Sequence, residues 1–275
     1  MHKVFEIIGT GAFAKAMHAM IATRGGIVHI SDPLNRIEIP EADWRIPCIP
    51  SYYLEGISFD LSQKYIFVSK GMTGSRLPTE FAAEQGLHHA FVAGPHLAAE
   101  LVAGLPTTTT IAGSLSNYSE LQHYFAGPMH TESADFVCLA SVVKNIVAYT
   151  CGLASGLGVG ENCKASILAQ GLREIVKIAE FLNLTFEDED LLQAGVLSDL
   201  ILTGSSAKSR NFKAGMLIVQ GEGASDTTES MHSAELLVDR IGWNYKLWPV
   251  VSFTADVIAK RKLPSDFDPV AFLKA

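Results

Sequence analysis

The stretch from Lys3 to Asp32 constrains the fold more than any other part of the chain. Lys3-Val4-Phe5-Glu6-Ile7-Ile8 is a short, mostly apolar run of the kind that forms a buried strand. Gly9-Thr10-Gly11-Ala12-Phe13-Ala14 follows, and then Ala16, Met17, Met20 and Ile21 recur at helical spacing until Gly25-Gly26 stops the helix. Ile27-Val28-His29-Ile30-Ser31 predicts a second strand that ends at Asp32. Strand, glycine turn, helix, strand and acid in this order suit a dinucleotide. Gly9 permits the tight turn, Gly11 lets the backbone approach a pyrophosphate, and the small Ala14 lets helix and strand pack closely. The helix start at Ala12 and Phe13 offers free N–H groups and a positive dipole end to phosphate. Asp32 falls 23 residues after Gly9, near the ~20 expected for a carboxylate on the adenosine ribose. Such a carboxylate favours NAD over NADP, and Arg36 close by softens that preference.

The remaining chain divides in two. Its 275 residues suggest about two domains and can bury a full core. A formal charge of −8 argues against a nucleic-acid partner. The cysteines Cys48, Cys138, Cys151 and Cys163 lack metal spacing and read as reduced thiols of a cytoplasmic protein, and no metal site is expected. No targeting segment is evident, and the apolar runs 136–143 and 146–160, separated by Lys144-Asn145, each fall short of a membrane span. Strands are predicted at Tyr65–Ser69, His89–Ala93 and Pro106–Ala112; Asp43–Ile49 is a weaker candidate because of Arg45 and Pro47. Turns at the C-terminal strand ends are where an open parallel sheet binds ligands. Beyond about residue 128 the pattern turns helical, with Asn162 as a candidate cap and the acidic run 187–190 as a helix start. The expected fold is an α/β Rossmann-type dinucleotide-binding domain over 1–128 and an all-α domain over 129–275.

Several segments in this order resemble the NAD(P)-dependent sn-glycerol-3-phosphate dehydrogenases of the bacterial type. They are the glycine turn, Val68-Ser69-Lys70-Gly71, Gly94-Pro95-His96-Leu97-Ala98-Ala99-Glu100, Val143-Lys144-Asn145-Ile146 with Gly156 to Ala165, Ser198 to Thr203, and Ser209-Arg210-Asn211. The resemblance covers nearly the whole chain. It implies a helical domain like that of 6-phosphogluconate dehydrogenase. It also implies interconversion of glycerol 3-phosphate and dihydroxyacetone phosphate with NAD(H), or with NADP(H), supplying glycerol 3-phosphate for phospholipid synthesis in the cytoplasm. Lys144 then matches the lysine that moves the C2 hydroxyl proton, with Asp199 beside it. Lys70, Gly94, Asn145, Thr203, Ser209, Arg210 and Asn211 match substrate positions. Lys70, Ala98, Arg210 and Glu229 join the glycine turn and Asp32 as cofactor positions. A small phosphorylated partner and a homodimer are implied, with no membrane span.

Elementary chemistry accords with these roles, while leaving bland alternatives open. Lys144 interrupts an otherwise apolar helix, and a buried ammonium needs a partner; an ion-paired structural lysine would satisfy the pattern equally. A lysine base working near neutrality needs desolvation or neighbouring cations, which Lys70 and Arg210 could provide. Asp199 and Thr203 share a helix face. The planar fork of Arg210 suits a phosphate, and Ser209-Arg210-Asn211 suits a helix start.

Three features depart from the family. Eighteen residues separate Ile30 from Ile49-Pro50-Ser51, too few for a helix-plus-strand crossover. One strand and one helix are therefore expected to be missing or rudimentary, thinning the wall beside the adenosine. His96-Leu97 stands in place of a serine and a phenylalanine. Ser141-Val142 replaces a small pair, and Phe13 replaces a tryptophan. A shortened, non-catalytic scaffold binding a nucleotide or phosphate metabolite, or a different 2-ketoacid or β-hydroxyacid reductase, are the competing expectations.

Overall fold

The computed structural model describes residues 2–35, 39–222 and 229–269, without the side chains of Glu229, Ser230 and Trp243. Seven strands form one sheet: β1 (Val4–Ile8), β2 (Ile27–Ser31), β3 (Trp44–Pro47), β4 (Lys64–Phe67), β5 (His88–Ala93), β6 (Thr109–Ala112) and β7 (Pro128–Thr131). Their order is β2-β1-β3-β4-β5-β6-β7. All neighbours run parallel except β5 and β6. Helices α1 (Ala12–Ala22), α2 (Pro78–Glu84), α3 (Ala98–Val102) and α4 (Leu115–Leu121) accompany the sheet. The helical part holds α5 (Ala134–Gly156), α6 (Glu161–Phe181), α7 (Asp199–Ser205), α8 (Arg210–Val219), α9 (Glu229–Ile241) and α10 (Pro249–Ile258). This is the expected Rossmann-type sheet followed by a helical domain.

Period-two alternation decides which residues face which layer. Ile66, Ala90, Val92 and Ile111 join Phe5, Ile7, Met17 and Ile21 in a core under α1. Tyr65, Phe67, Phe91, Ala93 and Ala112 face the other way and merge with the core around α5. The helical part is thus seated directly on the sheet, and the three strands β4, β5 and β6 feed both layers.

Local expectations needed correction where tertiary contacts overrode them. β3 is a central strand despite Arg45 and Pro47. The proline occupies its last position, and the ladder resumes when Cys48 N donates to Ile8 O at 2.8 Å. Arg45 is buried because Nε reaches Glu6 Oε2 at 3.1 Å, while Ser31 Oγ donates to Glu6 Oε1 at 3.0 Å. β6 is antiparallel to β5, so the sheet is not uniformly parallel. The expected division at 128/129 falls on β7, whose residues pair with β6; helices resume only at Ala134. Gly160, not Asn162, precedes the first residue of α6. The two apolar runs around Lys144 form one helix of 23 residues, long and apolar enough to cross a membrane, but its apolar window is wholly buried in the fold. The missing crossover is visible. Among the described residues between β2 and β3 (32–35 and 39–43) there is no helix or strand; β3 pairs with the other side of β1, and β2 is the sheet edge.

Two glycines set the α5–α8 crossing. A Cβ on Gly215 would overlap the Tyr149 carbonyl oxygen, and one on Gly152 would overlap that of Phe212. This contact fixes the first half of α8 against the C-terminal third of α5. Gly215→Ala is expected to destabilise the fold by about 1–3 kcal/mol, because backbone cannot yield as a side chain does. Thermal unfolding checks it; an unchanged Tm would show that the helices slide freely.

Candidate active site

The C-terminal ends of β1, β2, β4 and β5 carry Gly9 to Phe13, Asp32, Lys70 and Gly94 to His96. Gly9 has φ +139°, and a Cβ there would strike the Cys48 carbonyl, so only glycine serves. Gly11 precedes α1 with no side-chain cap, no acid lies in the first turn, and open space surrounds a Cβ placed there. The first N–H groups of α1, including those of Ala12 and Phe13, thus have the bare, electropositive setting that a pyrophosphate needs. Asp32 is exposed, and its Oδ1 accepts from Leu34 N at 2.8 Å. Ala98 is the first residue of α3 and packs against the α1 core. These residues fit a dinucleotide. Arg36 and the Glu229 side chain lie outside the described residues.

The helical domain brings its residues to the same sheet edge. Lys144 Nζ donates to Asp199 Oδ1 at 2.8 Å and to Thr203 Oγ1 at 3.0 Å. Lys70 Nζ donates to Asp199 Oδ2 at 2.7 Å and to Gly94 O at 3.2 Å. Asp199, first residue of α7, therefore bridges the two ammonium groups, and its Thr203 partner sits one turn on. Burial pushes the Asp199 carboxyl up, but Lys144 and Lys70 outweigh it and hold it below the ordinary carboxylate range. The expectation of cations crowding Lys144 is thereby modified: a carboxylate stands between Lys70 and Lys144, and Arg210 is exposed at the start of α8.

A second chain of bonds leads to α8. Asn145 Nδ2 donates to Lys70 O at 2.9 Å, and Asn211 Nδ2 donates to Asn145 Oδ1 at 2.8 Å. The Lys70 carbonyl fixes the Asn145 amide, which in turn fixes that of Asn211. Asn211 Oδ1 is then a buried acceptor with no partner among the described residues. Ser209 caps α8, its Oγ accepting from Phe212 N at 3.3 Å.

Sequence reasoning did not assign His96 or Thr109. His96 is buried, its Nε2 bonds Thr109 Oγ1 at 3.1 Å, and its ring lies 6.4 Å from that of Phe13. Burial first, and then Lys70, push its pKa down to about 3. The departure at the Gly94-Pro95 turn was the available signal for His96; the run of four threonines concealed Thr109.

Among known proteins, the family model described as NAD-dependent glycerol-3-phosphate dehydrogenase C-terminus matches residues 136–264. A glycerol-3-phosphate dehydrogenase (NAD(P)+) of Erythrobacter litoralis is 30% identical over 263 residues, covering 80% of this chain and 79% of that one. A protein of the same name from Sphingopyxis alaskensis is 28% identical with the same coverage. The solved glycerol-3-phosphate dehydrogenase of Coxiella burnetii superposes with a TM-score of 0.83 at 21% identity, covering 99% of this chain and 98% of that one, a likeness of fold. With its glycine turn, its Lys144–Asp199–Lys70 cluster and these relatives, the chain belongs to the glycerol-3-phosphate dehydrogenase family.

Proposed function

We propose that the protein interconverts sn-glycerol 3-phosphate and dihydroxyacetone phosphate with NAD(H), NADP(H) being a second cofactor. The observation that carries this reading is the pair of lysines sharing Asp199 at the mouth of the glycine turn. When bound at the glycine turn, a nicotinamide cofactor would supply the hydride chemistry. Lys144 Nζ gives a proton to the substrate C2 oxygen during reduction and takes it back during oxidation. Asp199 and Thr203 aim that ammonium, and Lys70, held on the Gly94 carbonyl, supports the negative charge of the reactants. The exposed Arg210 fork receives the phosphate together with N–H groups at the start of α8. Because the Asn211 amide nitrogen is committed to Asn145, that residue contributes its backbone N–H to the phosphate. Asp32 favours the unphosphorylated adenosine ribose. A reducing, cytoplasmic setting suits four cysteines that form no disulfide, and a homodimer belongs to the same reading.

The test follows NADH absorbance with dihydroxyacetone phosphate. Turnover by the wild type is expected, and Arg210→Ala should raise KM for the phosphorylated substrate about 10- to 100-fold through loss of charged hydrogen bonds. Absence of turnover with both NADH and NADPH would sink the reading and leave the non-catalytic scaffold.

A further inference from the structure

The short connection between β2 and β3 leaves a surface that the proposed reaction does not use. β2 pairs with β1, and its other side is open among the described residues. Ile27 N donates to Lys3 O and Ser31 O accepts from Gly9 N, so Ile27, His29 and Ser31 turn their N–H and C=O groups to β1. Successive residues alternate, so the same groups of Val28 and Ile30 point outward. Edge strands are ordinarily guarded by lysine, proline or a bulge. From Gly25 to Ser31 there is no formal charge, no proline and no break in register, and Ile27 and Ile30 are 49% and 42% exposed. Two features favour a second copy of this chain as what covers the edge. The first is hydrogen bonding. With a two-fold axis at His29, an antiparallel pair of β2 strands matches all five residues, and Val28 exchanges both backbone bonds with Ile30 of the second copy. Val28 and Ile30 share the sheet face of Phe5 and Ile7, so apolar side chains meet across the seam. The second is charge. Two chains of net charge −8 repel, but this seam is uncharged, and antiparallel pairing sets the Arg24 end of each strand beside the Asp32 end of the other.

We propose that two copies of the chain join through β2, antiparallel and in the register centred on His29, so that their sheets become one. The second copy then stands beside Asp32, where the crossover is missing. The proposal rests on the dehydrogenase reading only for the expectation of a homodimer, and goes beyond it by naming the face. A five-residue seam is small against the ~1,200 Å² at which standard interfaces begin, so a micromolar dimer is expected.

Sedimentation velocity over a micromolar concentration series should show a monomer–dimer equilibrium in wild type, weakened about tenfold or more in Ile30→Lys with Tm unchanged. Cross-linking reads the register. In the proposed pairing the two Cα atoms at position 29 lie about 4.5 Å apart, within disulfide reach, whereas those at position 27 lie about 14 Å apart. His29→Cys should therefore give a disulfide-linked dimer on copper–phenanthroline oxidation, and the more exposed Ile27→Cys should give no more than wild type. The cross-link decides by itself if Ile30→Lys fails to fold. A monomeric wild type, a dimer indifferent to a folded Ile30→Lys, no cross-link at position 29, or equal cross-linking at positions 27 and 29 would overturn the proposal. A wild type without turnover would instead remove the dehydrogenase reading and leave this interface standing, since neither measurement needs catalysis.

Discussion

Lys144→Ala is expected to lower kcat about 10²- to 10⁴-fold, the range over which a positioned acid–base group acts, while NADH binding is retained. The reason lies in the pairing around Asp199. Removing the Lys144 ammonium leaves the carboxylate still bonded to Lys70 at 2.7 Å, so no buried charge is stranded and the fold persists. What disappears is the proton donor held by Asp199 Oδ1 and the Thr203 hydroxyl. Lys144→Arg should not restore the rate, since guanidinium does not release a proton near neutrality and its planar fork does not fit a site built for one nitrogen. Steady-state rates with NADH titrations on the same preparations test this. A rate within about threefold of wild type would remove Lys144 from proton transfer.

The parts of this site legible in the sequence are those dictated by local backbone. The Gly9 to Ala14 turn could be recognised because each position demands a residue type: positive φ at Gly9 and a bare helix start after Gly11. Ser209 could be recognised because a helix start wants a hydroxyl acceptor. Other features depend on packing between distant elements. Asp199 meets Lys144 across 55 residues and Lys70 across 129, and no local pattern specifies that it sits between them. The strand β3 was obscured because Arg45 looks polar until Glu6 is seen beneath it. The direction of β6 was hidden because alternation of apolar residues is the same in both directions. β7 escaped because Pro128-Met129-His130-Thr131 has little apolar pattern, and its pairing with β6 supplies what local preference lacks.

Asp199→Asn is expected to cost about 3–5 kcal/mol of stability as well as most of the activity, because it leaves Lys70 and Lys144 as buried or nearly buried cations without their shared counter-charge. An amide can accept from one ammonium, but its other end donates and opposes the second. The pH dependence separates this from a packing defect. The folded carboxyl lies below its ordinary value of 3.8, so its contribution is intact above about pH 4 and is lost as pH falls through the folded value. Wild type should therefore exceed Asp199→Asn in unfolding free energy by a constant amount from pH 7 to about pH 5, and the gap should begin to narrow below about pH 4, by at most about 1.4 kcal/mol per pH unit. Denaturant unfolding at pH 7, 5 and 3.5 reads this directly. A gap that persists undiminished into acid would show that Asp199 acts through shape; no gap at pH 7 would show that the lysines find other partners. Turnover discriminates further, since the ion bridge also aims Lys144: kcat should fall by at least tenfold even under conditions where the variant is fully folded.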